Sequence, residues 1–211
     1  MRTDDLIAAL AADNRASGPR PALSHGLAAL AGGVVSLSWL LWEQGVRSDI
    51  LDALATWRFD LKLVLIGLAI IVALIECIRV AGPSSTGRSS NAIIVVPVLL
   101  ALAVAVELAA TPTETWTSRA IGTNALECLR LIPIMSAAPL VLGLLAMRSA
   151  APGSAFAAGV TVGCLAAAIG AAVYAIHCFD DSPLFVALWY PLAAIPVIAT
   201  GTLAGRLLLR W

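Results

Sequence analysis

The chain has 211 residues, of which 60% are hydrophobic and 12% charged, and its 13 basic and 13 acidic side chains balance to a net charge of zero. A water-soluble domain carries about twice that charged fraction, so length and composition place the chain among membrane proteins. The even charge balance excludes direct nucleic-acid binding through bulk electrostatics.

Residues 1–24 form the one polar stretch of any length, and they are expected to be a cytoplasmic tail preceding a membrane domain over 25–211. Thr3 can cap a helix, with Asp4 and Asp5 facing its positive end. Leu6, Ile7 and Leu10 follow at helical spacing on one face. So short an amphipathic helix is marginal in water and needs a surface, either lipid or a groove on a partner. Gly18, Pro19 and Pro21 then read as a linker. No cleavable signal peptide is expected, because the opening Met1-Arg2-Thr3-Asp4-Asp5 is acidic where a basic region should stand.

Six apolar runs follow, at 26–42, 61–78, 92–110, 125–147, 155–176 and 184–204. Each is near the length of about 20 residues that crosses a bilayer. The fold class expected is an all-α membrane protein with six transmembrane helices. Six crossings return both termini to one side. With that side inside, eight of the 13 Lys and Arg residues fall on inner segments, which favours cytoplasmic N- and C-termini. The first outer loop, 43–60, is expected to hold a short amphipathic helix. In run five, Ala155, Gly159, Gly163, Ala167 and Ala171 make a small-residue stripe for close helix packing.

The most informative stretch lies between runs five and six: His177, Cys178, Phe179, Asp180, Asp181, Ser182 and Pro183. Two carboxylates cost too much in hydrocarbon to sit there, and Pro183 suits the first turn of a new helix. This is a turn at a membrane surface. Cys128 opens run four and Cys178 closes run five, so both fall at the outer face. Glu127, His177, Asp180 and Asp181 lie beside them. Thiols facing an oxidising compartment can form a disulfide, and thiolate with imidazole suits a soft metal ion. A redox- or metal-responsive pair is therefore expected at Cys128 and Cys178. His177 is a further candidate metal ligand. Cys77 and Cys164 read as small hydrophobes. Glu76 with Arg79, and Glu127 with Arg130, are spaced to pair locally.

No GxSxG, HExxH or phosphate-loop pattern is present, so neither an enzyme nor a cofactor is indicated. The alternatives are a small transporter or channel, which would need polar groups at mid-membrane, and a thiol oxidoreductase, which would need a CxxC or quinone site.

Several blocks carry a resemblance. They are Glu127-Cys128-Leu129-Arg130-Leu131-Ile132-Pro133, Ser136 to Pro139, His177 through Ala187 with Trp189 and Tyr190, and the closing Leu207 to Trp211. With the opening Thr3 to Ala11, they resemble the NrsF family of six-helix inner-membrane negative regulators of sigma factors. The resemblance implies a bacterial anti-sigma factor. Its tail, with Asp4, Asp5, Leu6, Ile7 and Leu10, would hold an extracytoplasmic-function sigma factor at the membrane. The family's two functional cysteines fall on Cys128 and Cys178, which would sense stress such as oxidants or heavy metals.

Overall fold

The computed structural model describes residues 3, 5, 21–82, 90–150 and 152–209. It contains α1 (Pro21–Glu43), α2 (Ile50–Ala53), α3 (Trp57–Val80), α4 (Val95–Ala110), α5 (Trp116–Ile121), α6 (Ala125–Arg148), α7 (Ala155–Ala175) and α8 (Pro183–Leu208). Single 3-10 turns at Asn91–Ile94 and Thr113–Thr115 lead into α4 and α5. No strand occurs among the described residues. Six helical segments are long and apolar enough to cross a membrane, with mean hydropathies from 1.4 to 2.7. They correspond to the six runs.

Among the described residues the first helix runs from Pro21, inside the expected linker. In the 43–60 loop, the expected surface helix is the single turn α2. Chain on either side is drawn inward instead, by Arg47 and Lys62. Of the tail, Thr3 and Asp5 are helical and exposed. Asp4, Leu6, Ile7 and Leu10 lie outside the described residues, as does most of the 82–91 connector.

Helix α7 is the central post, packed against α3, α6 and α8. The small-residue stripe explains why. A Cβ on Gly159 would lie 2.5 Å from the Gly201 carbonyl oxygen, and one on Gly163 would lie 2.8 Å from Ile198 Cα. The α7 and α8 backbones therefore touch, as they do where lipid supplies no hydrophobic drive and close packing must. Helix α1 lies on α6 in the same manner. Gly32 sits under Pro139, and Ser36 Oγ donates to the Met135 carbonyl at 2.6 Å.

Two buried clusters divide the bundle. One holds Cys77, Val80, Met147 and Leu209, near the ends that carry the termini. The other holds Cys128, Tyr174, Cys178, Phe185 and Tyr190. It lies at the opposite end, beneath the 176–182 connection, here termed the hairpin end. Of the six spanning helices, α4 is the most loosely packed, burying only Ala103 and Glu107.

Candidate functional site

The hairpin between α7 and α8 is built residue by residue to hold charge at an apolar end. Helix α7 stops at Ala175, and Ser182 with Pro183 starts α8. The carboxylates between them have separate tasks.

Asp180 reaches α6. Its Oδ2 accepts the backbone N–H groups of Thr123 at 2.9 Å and Asn124 at 2.8 Å, and the Asn124 side-chain amide at 2.9 Å. These residues lead into α6, whose positive end favours a carboxylate. Gly122 makes the approach feasible. It has φ +63, and a Cβ there would lie 2.8 Å from the Asp180 carboxyl carbon and 2.5 Å from the Phe185 ring.

Asp181 is the centre of an ion knot. It accepts from Arg47 Nη1 at 2.8 Å and from Lys62 Nζ. Arg47 also pairs with Asp49 at 2.7 Å. Both cations donate in addition to the Cys178 carbonyl, at 2.9 Å from Arg47 and 3.3 Å from Lys62. Lys62 is 1% exposed and Arg47 5%. Phe59 and Phe179 face the Arg47 guanidinium at 5.3 and 5.0 Å. Buried charges persist only when paired and hydrogen-bonded, and here they are both. The Asp49 and Asp181 hydrogen bonds hold the Arg47 guanidinium above its already high range, and Arg47 holds the Asp49 carboxyl below its usual one.

Beneath the knot sit the thiols. Cys128 is in the first turn of α6, with its N–H on the Asn124 carbonyl at 2.8 Å. Cys178 follows α7. Both are fully buried members of one cluster. The Tyr174 hydroxyl donates to the same Asn124 carbonyl at 3.3 Å, and Cys178 Sγ lies 3.7 Å from the Asp180 carbonyl. All four cysteines are free thiols. Burial pushes the Cys178 thiol up, against the pull of the Lys62 charge and of hydrogen bonds from its surroundings.

The expected companions divide. Asp180 and Asp181 are part of the assembly. His177 turns aside, with Nδ1 3.1 Å from the Gly45 carbonyl oxygen. Glu127 pairs with Arg130 at 3.0 Å on the surface, as its spacing predicts. Glu76 pairs likewise with Arg79 at 3.0 Å. No group of three or more His, Cys, Asp or Glu side chains suited to a metal occurs among the described residues. The sequence reading missed Arg47 and Lys62 as partners of the hairpin. Glu107, an ionisable group in an apolar run for which the sequence offered no partner, is fully buried and bridged by Arg58 and Arg119 at 3.0 Å each.

A family model described as "Negative regulator of sigma F", NrsF, matches residues 10–211. The chain is 34% identical to the anti-sigma-F factor NrsF of Caulobacter vibrioides, with all of both chains covered. It is 30% identical to the probable anti-sigma-F factor NrsF of Azospira oryzae, again over the full length of both. No solved structure matches. The chain belongs to the NrsF family of negative regulators of sigma F.

Proposed function

We propose that the chain is an anti-sigma factor of the bacterial inner membrane, with both termini in the cytoplasm. Its N-terminal segment, with Asp4, Asp5, Leu6, Ile7 and Leu10 as the docking face, sequesters an extracytoplasmic-function sigma factor. It is a regulator and not an enzyme, and DNA is not its direct partner. The hairpin end faces the periplasm. There Cys128 and Cys178 form the sensing pair, which an oxidant joins as a disulfide or a soft metal ion bridges as thiolates.

The observation that carries this reading is the placing of the two thiols. They belong to one buried cluster although 50 positions separate them in the chain. One rides on α6, the other on the hairpin, and Asp180 ties the two elements together. Covalent capture at this junction alters how α6 meets α7. A shift from 1:99 to 99:1 needs about 5.5 kcal/mol. A disulfide contributes roughly 2–4 kcal/mol, enough for partial release.

The test has two arms. Deleting residues 1–13 is expected to abolish co-purification of a sigma factor while membrane insertion persists. Changing Cys128 and Cys178 to Ser is expected to leave a sigma-dependent reporter unresponsive to oxidant and cadmium. A tail-less chain that still retains the sigma factor moves the docking face to the inner connections. A double-serine chain that still responds removes the pair from the sensing role.

A further inference from the structure

Residues 44–49, between α1 and α2, cross the hairpin as a strap. The Gln44 and Gly45 N–H groups close the end of α1 on the Leu40 carbonyl at 2.9 Å, and Gly45, at φ +76, turns the chain off the helix. The strap then meets the hairpin residue after residue. The Gly45 carbonyl faces His177 Nδ1 at 3.1 Å, and the Arg47 N–H donates to the Ile176 carbonyl at 3.2 Å. The Arg47 guanidinium donates to the Cys178 carbonyl at 2.9 Å and to the Asp181 carboxylate at 2.8 Å. Beneath these contacts Cys128 and Cys178 have no exposed surface.

Nothing apolar holds the strap down. Arg47 is its one buried residue, while Val46 is 44% exposed and the others are half-buried or exposed. A segment with no apolar side chain in the core lifts without opening the bundle, and such local openings cost far less than global unfolding. The charges permit it as well. Lifted, Arg47 returns to water beside Asp49, whose side chain is already 41% exposed, and Asp181 keeps Lys62. No buried charge is stranded, which is what makes breaking a buried pair expensive. The outside lies close by. Phe179, stacked on the Arg47 guanidinium at 5.0 Å, walls an open cavity of about 770 Å³ together with Asp180 and Asp181. That cavity reaches the residue next to Cys178.

We infer that the 44–49 strap is a lid over the thiols, latched by Arg47, and that lifting it admits water-soluble thiol reagents to Cys178. The latch fixes the fraction of time the lid is open, and hence how fast the thiol reacts at a given dose. It thereby sets the threshold of the sensor. The threshold rests on the sensing role of the cysteine pair, whereas the lid does not depend on it.

The full chain, reduced and reconstituted in nanodiscs, is treated with a sulfonate-bearing methanethiosulfonate, a charged thiol reagent that stays out of hydrocarbon. Modification of each cysteine is timed by peptide mass. Cys77, equally buried in the cluster at the other end of the bundle, reports global opening. Arg47→Met removes the latch and strands no buried charge. It is expected to speed modification of Cys178 about tenfold, the scale of one charge-assisted hydrogen bond, with Cys77 unchanged. Lys62→Met leaves the strap latched to Asp181 and is expected to change the Cys178 rate by less than about twofold. An Arg47→Met rate equal to the parent's overturns the lid. So does a Cys77 rate that rises in step with Cys178, since the whole bundle is then opening. A Lys62→Met rate matching that of Arg47→Met overturns it too, because the hairpin and not the strap then governs access. A sigma-dependent reporter reads the threshold separately. Arg47→Met is expected to respond at about a tenth of the parent's oxidant dose. Faster labelling with an unchanged dose keeps the lid and removes its use in sensing.

Discussion

Replacing Asp181 with Asn removes the carboxylate shared by Lys62 and Arg47. Arg47 keeps Asp49 at 2.7 Å, but Lys62 keeps only the Cys178 and Asp180 carbonyls, at 3.3 and 3.4 Å. Breaking a buried pair costs about 3–5 kcal/mol, because the surviving charge is left uncompensated. The Asp181 side chain is 13% exposed, so the lower figure of about 3 kcal/mol applies. For a chain of this size each kcal/mol moves the unfolding midpoint by about 2–4 °C, giving a loss of about 6–12 °C. The companion is the double change Lys62→Met with Asp181→Leu. Replacing both members of a buried pair by apolar groups is often neutral or stabilising, so much of the lost midpoint is expected back. Thermal unfolding of the full chain in detergent, followed by near-ultraviolet circular dichroism, reads both. An Asp181→Asn midpoint within about 1 kcal/mol of the parent would refute the reasoning, since the knot would then be solvated in solution. So would a double variant no better than the single one.

Asp180→Ala is expected to cost about 1–3 kcal/mol by leaving the Thr123 and Asn124 N–H groups without their carboxylate, and faster amide exchange over 123–128 measures it. Gly159→Leu is expected to separate α7 from α8, because its side chain meets the Gly201 carbonyl at the Cβ. A lower thermal unfolding midpoint of the full chain in detergent reads that separation. Cys178 alkylation by iodoacetamide is expected to be slower at pH 7 than that of a free thiol, and to climb as pH passes 9.0, its ordinary value. The sign for stability follows from the same shift. The folded chain keeps a proton that the unfolded chain releases, so this contribution is complete below 9.0 and is lost as pH rises through the higher folded value. A stability that increased across that range would reverse the assignment.

The spans were legible because hydropathy and length decide them alone. The hairpin was legible because two adjacent carboxylates and a proline leave few alternatives. Partnerships were not legible where the partners are distant. Lys62 meets Asp181 across 119 positions, Arg47 meets it across 134, and Arg58 meets Glu107 across 49. Spacing carries no information at such separations. A signal was present nonetheless. Lys62 and Glu107 stand inside apolar runs with no opposite charge three or four residues away, whereas Glu76 has Arg79 and Glu127 has Arg130. An ionisable group in an apolar run without a local partner requires a distant one. The looseness of α4 was hidden for a different reason. Its segment has mean hydropathy 2.7, the same as that of α3, which buries much more. Lipid and protein core reward the same side chains, so hydropathy does not distinguish a packed helix from a loosely held one.

The distance from sulfur to tail sets the last requirement on the proposed switch. Helix α6 begins at the thiols and runs the depth of the bundle. The helix it grips is α1, through Gly32 under Pro139 and the Ser36 hydroxyl on the Met135 carbonyl. Helix α1 is also the element from which the tail extends, and its 23 residues span about 35 Å. Backbones in contact move together, because a packed interface has no slack to absorb a shift. In the proposed switch, α1 therefore follows α6 only as long as the Gly32 contact is intact. Gly32→Leu places a side chain where even a Cβ would lie 2.5 Å from Pro139 Cα, so α1 must move away from α6. The expected result is a chain that still captures the sigma factor and still forms the Cys128–Cys178 bond, yet no longer releases its partner on oxidation. Co-purification with and without oxidant, beside a thiol count on the same sample, separates capture, bond formation and release. If Gly32→Leu releases the sigma factor as the parent does, the signal passes through another helix, and α8, which packs on both α6 and α7, becomes the route to test.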